Sequence, residues 1–144
     1  MAAQDVKIRK FEREDFHGLH YLSNQLSVSV NVDMHSLENH IDLTYKDTNY
    51  LILVAELKNS LVGYVSAYFH NAIYANGKVV YIDEIVVAAE HRGNRIGSML
   101  LRELERLAKV QNCILVSLAS GGAKGFYEKS GYISKASYFK KYLK

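Results

Sequence analysis

The residues best suited to chemistry lie in one stretch, 81–107, which reads YIDEIVVAAEHRGNRIGSMLLRELERL. Ile82, Ile85, Val86 and Val87 give a short apolar, β-branched run, the pattern of a buried strand. Two adjacent carboxylates, Asp83 and Glu84, sit inside it. Ile96, Leu100, Leu104 and Leu107 then recur at helical spacing, with Met99 and Ala108 widening the stripe. Between strand and helix lies HRGNRIG, with Gly93 and Gly97 flanking the start of the helix. A strand, a glycine-bearing turn and a helix N-terminus make a cradle for phosphate, because the first backbone N–H groups of the helix have no partner and its dipole favours an anion. The side chains break a local rule. Helix N-termini prefer acids, yet this one carries Arg92 and Arg95, and Glu103 and Glu105 come later. Such charge placement is explained if a multiply charged anion completes the site. The plainer reading makes Asn94 an ordinary N-cap and leaves the arginines solvated.

Other phosphate signatures are missing. There is no GxGxxG, and residues 93–98 lack the lysine of a P-loop. His17 and His20 could share a helix face and bind a metal, but no third ligand is evident, and the plainer reading leaves both solvent-facing or partly buried, with no metal site. His91 stands beside Arg92, where it either touches a phosphate or is solvated.

These residues need a scaffold, and 144 residues suffice for one domain with a real core. The apolar share is 49% and the charged share 23%, the balance of an ordinary globular chain rather than a disordered one. A net charge of +3 with scattered lysines does not indicate a nucleic-acid binder. Without a signal peptide or an apolar run approaching ~20 residues, the expectation is a cytoplasmic protein away from membranes. Cys113 is the only cysteine and reads as a small buried hydrophobe.

Along the chain, alternation predicts a strand over 6–11. A helix follows from a polar start at 12–15 to about Gln25, with Phe16, Leu19, His20, Leu22 and Leu26 on its apolar face. Residues 27–32 read as an irregular link that could border a substrate pocket. Asp33 can cap a second helix whose apolar face holds Leu37, His40, Ile41 and Leu43. Runs at 50–56 and 61–69 flank a turn at Lys58, Asn59 and Ser60 and read as a β-hairpin. A loop over 71–77 leads into the strand already described. After the long helix come a strand at 114–119, a short helix at 123–129, and one or two strands within 132–142. Helices and strands interleave too irregularly for a doubly wound sheet, which also excludes a Rossmann-type nucleotide site.

The HRGNRIG turn resembles the coenzyme A motif of the GCN5-related N-acetyltransferase (GNAT) family, Gln/Arg-x-x-Gly-x-Gly/Ala after a strand ending in an apolar-x-Val triplet. The motif falls on Arg92, Gly93, Asn94, Arg95, Ile96 and Gly97, with Ile85, Val86 and Val87 as the triplet. The middle glycine is replaced by Arg95, so one backbone approach to the pyrophosphate is less open and a side-chain contact takes its place. FYEKSGY, residues 126–132, resembles the second cofactor motif of that family and puts Tyr127 beside the thioester sulfur. Where the family often has Asn, this chain has Ser120. The resemblance implies an α+β, mixed α/β domain spanning 1–144, with a mostly antiparallel mixed sheet of roughly six to seven strands and about four helices. It implies acetyl-coenzyme A as co-substrate, held by Ile85, Val86, Val87, Arg92, Gly93, Asn94, Arg95, Ile96, Gly97, Ser98, Ser120 and Tyr127.

Transfer of acetyl to an amine makes three demands. An alkyl ammonium, with a pKa of about 10.4, must lose a proton before it attacks. The carbonyl oxygen gathers charge and needs a fixed donor, for which a backbone N–H near Val87 would serve. The departing thiolate leaves better with a proton, which Tyr127 could supply. Asp83 and Glu84 are the candidates for the base, alongside water alone. Regular alternation puts Tyr81, Asp83, Ile85 and Val87 on one face and Glu84 with Ile82 and Val86 on the other. Similarity to the family favours Asp83 as base, with Tyr81 and Asp83 lining the acceptor pocket. A compact chain points to a small-molecule amine, as in members acting on polyamines, aminoalkylphosphonates or related amines. A protein amine acceptor and a non-catalytic coenzyme A-binding module are the alternatives. The family often pairs through its C-terminal strands, so the tyrosine-rich residues 132–142 suggest a homodimer.

Overall fold

The computed structural model describes residues 5–26 and 31–144. Of the link expected at 27–32, residues 27–30 lie outside the described ones. The chain runs β1 (Lys7–Lys10), α1 (Phe16–Ser23), α2 (Met34–Thr44), β2 (Tyr50–Leu57), β3 (Ser60–Ala72), β4 (Gly77–Val87), α3 (Ile96–Val110), β5 (Leu115–Leu118) and α4 (Lys124–Lys129), with short 3₁₀ turns before α1, β4 and α3. The sheet order is β1-β2-β3-β4-β5. All neighbours pair antiparallel except β4 and β5, which are parallel.

Local chemistry accounts for most of these boundaries. The Asp33 side chain accepts a hydrogen bond from Ser36 N at 2.9 Å and caps α2, a contact worth about 1 kcal/mol. Lys58 and Asn59 both adopt left-handed backbone conformations in the hairpin turn, as a tight turn between twisted strands requires. Asn76 does the same before β4. Arg9 clamps the start of the chain, donating to both Asp15 oxygens at 2.8 Å and to Glu56 at 2.7 Å. The arginine holds the Asp15 carboxyl below its ordinary pKa.

Helices cover both faces of the sheet. On one, α3 buries Ile96, Leu100, Leu101, Leu104 and Ala108 against Leu53, Ala55, Val65, Ala67, Phe69, Val80 and Ile82. Each buried leucine contributes about 1.5–3 kcal/mol. The approach is close at Gly63, where a Cβ would meet Val86 O at 2.9 Å and Leu100 Cδ1 at 3.2 Å. On the other face, Leu19, Leu22, Leu37 and Ile41 from α1 and α2 pack over Val54, Tyr64 and Val86.

Three expectations need correction. Leu43 is 82% exposed rather than part of the apolar face of α2; the stripe closes with Ile41, one turn before the helix ends. The sheet has five strands among the described residues, because 132–142 forms none. That segment has no ladder partner within its own chain, and Ile133, Tyr138, Phe139, Tyr142 and Leu143 are exposed. The regular alternation expected through Asp83 and Glu84 is interrupted. Ser66 pairs with Glu84, yet the next β3 residue, Ala67, pairs with Ile82. Asp83 is the extra residue of a β-bulge, and a bulge reverses which face the following residues occupy. Ile82 therefore joins Ile85 and Val87 on the α3 side, while Val86 lies with α1 and α2.

Candidate active site

The site is built where β4 leaves its neighbour. β4 and β5 pair from Val79↔Leu115 to Ile82↔Leu118 and then part, although β4 continues to Val87. The backbone of 83–87 thus presents an edge with no ladder partner on the β5 side. Above this notch sit the first turn of α3 and the aromatic residues of α4. A Cβ on Gly97 would meet Phe126 at 3.4 Å and Val87 at 3.8 Å, so strand end, helix start and α4 converge at that glycine. Tyr127 is buried, edge-on to Phe126 with ring centroids 4.9 Å apart and to Tyr132 at 5.8 Å. Burial raises the pKa of its phenol. The Tyr132 hydroxyl donates to Glu105 at 2.7 Å, tying the end of α4 to α3.

The N-terminus of α3 has no acidic residue in its first turn and no side-chain cap. Its first intrahelical bond runs from Met99 N to Arg95 O at 3.0 Å, which leaves the N–H groups of Ile96, Gly97 and Ser98 without helical partners. Asn94 is therefore not the cap, and Arg95 takes that position with φ +65°. Gly93 is also left-handed, at φ +85°. Arg92 folds back, its Nε donating to Val87 O at 3.2 Å. The Gln25 side chain accepts from Ala89 N at 2.9 Å and braces the loop from the α1 side. Ser120 is engaged locally, accepting from Ala123 N at 3.0 Å at the approach to α4.

The acidic half lies on the opposite face of β4, under α2. The Ser66 hydroxyl, 1% exposed, donates to Glu84 Oε1 at 3.0 Å. The buried Tyr64 lies on the same face, beside Val86. His40 Nε2 and the Tyr50 hydroxyl are 2.9 Å apart. Tyr68 packs tilted against Tyr50 and donates to Asp47 at 3.2 Å. By register, Tyr81 completes this face opposite Tyr68. Burial raises the pKa of Glu84, opposed first by the Ser66 hydrogen bond. Burial raises that of Asp83 too, opposed by the charge of His40. Asp83 is the more exposed of the two.

The bulge thus lets both acids lie within electrostatic range of His40, where alternation alone would have separated them. His40, Tyr50 and Ser66 belong to the same cluster and carry no motif; only Ser66, a polar residue inside an apolar strand, offered a sequence signal. The histidines considered for a metal serve elsewhere. His20 Nε2 bonds Val32 O at 2.7 Å, His17 is exposed, and no group of three metal-ligating side chains occurs among the described residues. A cavity of about 320 Å³ lined by Lys10, Thr44, Asp47 and Leu107 opens near the far ends of β2 and α3, away from the notch.

The Acetyltransferase (GNAT) family matches residues 11–132. The chain belongs to that family, and is an N-acetyltransferase of the acetyl-coenzyme A-dependent class. It is 31% identical over 101 residues to the glucosamine 6-phosphate N-acetyltransferase of Schizosaccharomyces pombe, covering 68% of this chain and 91% of that one. A shorter match to the Candida albicans enzyme of the same name is 39% identical over 61 residues, 42% of this chain and 41% of that enzyme. The solved structure of glucosamine-6-phosphate N-acetyltransferase from Arabidopsis thaliana superposes with a TM-score of 0.83 at 28% identity, covering 96% and 99% of the two chains.

The left-handed backbone at Arg95 yields a test. A non-glycine residue there costs about 1–2 kcal/mol, more than the roughly 0.5–1 kcal/mol of chain entropy that glycine loses on folding. Arg95→Gly is expected to raise stability by roughly 0.5–1 kcal/mol in denaturant titrations, while its acetyl-coenzyme A Kd increases because a cation beside the cradle is lost.

Proposed function

We propose that the chain moves acetyl from acetyl-coenzyme A to the primary amine of a small molecule, with Glu84 receiving the amine proton and Tyr127 protonating the departing thiolate. The observation that carries this reading is the parting of β4 from β5 between a half-buried carboxylate and an uncapped, arginine-flanked helix N-terminus. The residues present suit the co-substrate. Three free N–H groups and a side-chain-free Gly97 fit a pyrophosphate, with Arg95 beside it, and the unpaired edge of 85–87 fits an amide-bearing chain. Bound there, acetyl-coenzyme A supplies the activated acetyl group. The chain contributes the rest. Glu84, with its raised pKa, holds a proton more readily than a solvated carboxylate. Ser66 orients it. A backbone N–H near Val87 is a preset donor to the carbonyl oxygen. Asp83, at the rim, attracts the ammonium. Arg92, already bonded to Val87 O, supports the strand end as well as adding charge. We assign the 144 residues to one catalytic domain.

The printed names of the relatives make glucosamine 6-phosphate the first acceptor to try. A specific feature favours a second class. On the α2-facing side, strands β2–β4 present Tyr50, Ser66, Tyr68, Tyr81 and Glu84 and no lysine or arginine, a surface suited to a cationic amine more than to a phosphate. Turnover with glucosamine 6-phosphate, glucosamine and spermidine separates the two: preference for the sugar phosphate over glucosamine requires a cation brought to this face, and preference for spermidine identifies a polyamine-type acceptor. No turnover, with a thermal shift from acetyl-coenzyme A, would instead support the binding-module alternative. A ligand at 100 times its Kd should stabilise the fold by about 2.7 kcal/mol.

Two variants probe the roles. Tyr127→Phe is expected to lower kcat about 10²-fold with unaltered acetyl-coenzyme A affinity. Glu84→Gln should lose activity yet melt higher at pH 7. A carboxylate whose folded pKa is raised stabilises the fold below its unfolded pKa, and that contribution is lost as pH rises through the folded value. The melting advantage of Glu84→Gln over wild type should therefore shrink as pH falls. An equal melting point at every pH would mean that Glu84 is not held in a desolvated site.

We also propose a homodimer in which residues 133–144 of one copy pair with the other. Their exposed apolar side chains and the edge position of β5 support it. Light scattering should give twice the chain mass, and a truncation after Tyr132 should give one.

A further inference from the structure

The turn between β4 and α3 is held mainly from outside. Residues 89–95 carry no buried side chain, and a Cβ on Gly93 would touch nothing within 4 Å. Arg92 and Arg95 enter no ion pair among the described residues. Gly93 and Arg95 are both left-handed, and for Arg95 that conformation is intrinsically unfavourable. Within the turn, His91 N donates to Ala88 O at 2.9 Å, and Arg92 N reaches Ala89 O only at 3.5 Å. Two hydrogen bonds tie its start to other elements. Ala88 N donates to Val62 O on β3 at 2.8 Å, and Ala89 N donates to the Gln25 side chain at 2.9 Å. Among the described residues, Gln25 is the one side chain from outside the turn that hydrogen-bonds it. Gln25 is itself anchored. Its N–H donates to Leu22 O at 2.9 Å, and Leu22 is fully buried in the cluster that holds Val86 and Ala88. The preceding residue, Asn24, accepts from Val32 N at 2.6 Å and donates to His20 O at 3.2 Å.

We propose that Gln25 is a positioning residue for the cofactor: by fixing the peptide between Ala88 and Ala89, it presets the turn that delivers Arg92 and the first N–H groups of α3 to the diphosphate of acetyl-coenzyme A. The inference rests on the reading of the α3 N-terminus as the diphosphate site. A peptide unit is planar, so a bond to its N–H also fixes its carbonyl. Here the N–H is the Ala89 group held by Gln25, and the carbonyl is that of Ala88, which accepts from His91 N. That second bond closes the 3₁₀ turn Ala89–His91, and Arg92 follows at once. Gln25 thus acts through the turn and touches neither substrate. Its contribution is preorganisation. Without the Gln25 acceptor, the turn must be ordered as the cofactor binds, which weakens binding without altering the chemical step. A thioester that lacks the diphosphate makes no use of the turn and does not register the loss.

The test uses Gln25→Met, which is close in length and lacks the acceptor oxygen. Two acetyl donors are compared: acetyl-coenzyme A, and S-acetylpantetheine, which keeps the thioester arm and carries no phosphate. Glucosamine 6-phosphate and spermidine serve as acceptors. With acetyl-coenzyme A, kcat/KM is expected to fall about three- to tenfold, the effect of losing one neutral hydrogen bond. The fall should lie wholly in KM for acetyl-coenzyme A, with kcat and KM for the acceptor unaltered. With S-acetylpantetheine, kcat/KM should match wild type. A readout free of any acceptor is calorimetry with coenzyme A, whose Kd should rise by the same factor. Equal coenzyme A affinity in Gln25→Met, a fall in kcat, or equal losses with both donors would overturn the positioning role. Wild-type protein that uses S-acetylpantetheine as well as acetyl-coenzyme A would overturn the diphosphate site itself, and the inference with it. Amide exchange in the wild-type protein tests the contact even if Gln25→Met does not fold. The Ala89 N–H should exchange about tenfold more slowly than that of its exposed neighbour Glu90, and equal rates would overturn the proposal.

Discussion

One extra residue in β4 determines where the chemistry can happen. Without the bulge at Asp83, the pairing of Ser66 with Glu84 and that of Ala67 with Ile82 could not both occur, and the strand would present the same face from Gly77 to Val87. With it, Ile82 below the bulge and Ile85 and Val87 above it all pack on the α3 side, while Glu84 and Val86 turn to α1 and α2. The strand also bends there, since bulges increase local twist, and pairing with β5 ends at the same place. A single backbone irregularity thus accounts for the notch and for the orientation of the half-buried Glu84. It also leaves the tip of β4 under the first turn of α3, where Gly97 keeps the gap to Val87 and Phe126 open.

That geometry has an electrostatic consequence. Desolvation acts on both acids in the same direction, so a pair of carboxylates beneath α2 is costly in a resting protein. The Ser66 hydroxyl and the proximity of His40 offset part of that cost. The network is fully satisfied, with no buried side-chain polar atom lacking a partner among the described residues. A satisfied polar cluster inside an apolar sheet fixes one arrangement of its members, and this is how Glu84 can be both half-buried and held in place.

Much of this was legible in the sequence, for identifiable reasons. The α3 stripe of Ile96, Leu100, Leu104 and Ala108, the Asp33 cap and the 58–59 turn are local signals, and each appears where its chemistry placed it. The uncapped start of α3 was legible because glycine spacing and misplaced arginines are read along the chain. The bulge was not, since it is a property of two strands in register. For the same reason period-2 counting puts Ile82 on the face of Glu84 and Val86, whereas Ile82 packs on the α3 side with Ile85 and Val87. His40 and Tyr50 come from separate elements and meet only through the pairing of β2 with β3 and the packing of α2. The last strands, expected within 132–142, failed for a third reason: the segment has strand composition, but a strand needs a partner edge, and its own chain provides none in ladder contact.

The two ends of the site obey opposite rules, and each explains the other. The α3 N-terminus lacks the acid that would ordinarily satisfy its free N–H groups, so its stability is lowest when no anion is present. The strand face carries acids without arginine or lysine, so it is stabilised by an added cation. A molecule with phosphates at one end and a reactive group between would satisfy the first, and an ammonium would satisfy the second. The unpaired edge of β4 joins them over the few residues from Glu84 to Val87. The uncapped α3 N-terminus and the acid-bearing face of β4 thus lie at the two ends of one short strand segment.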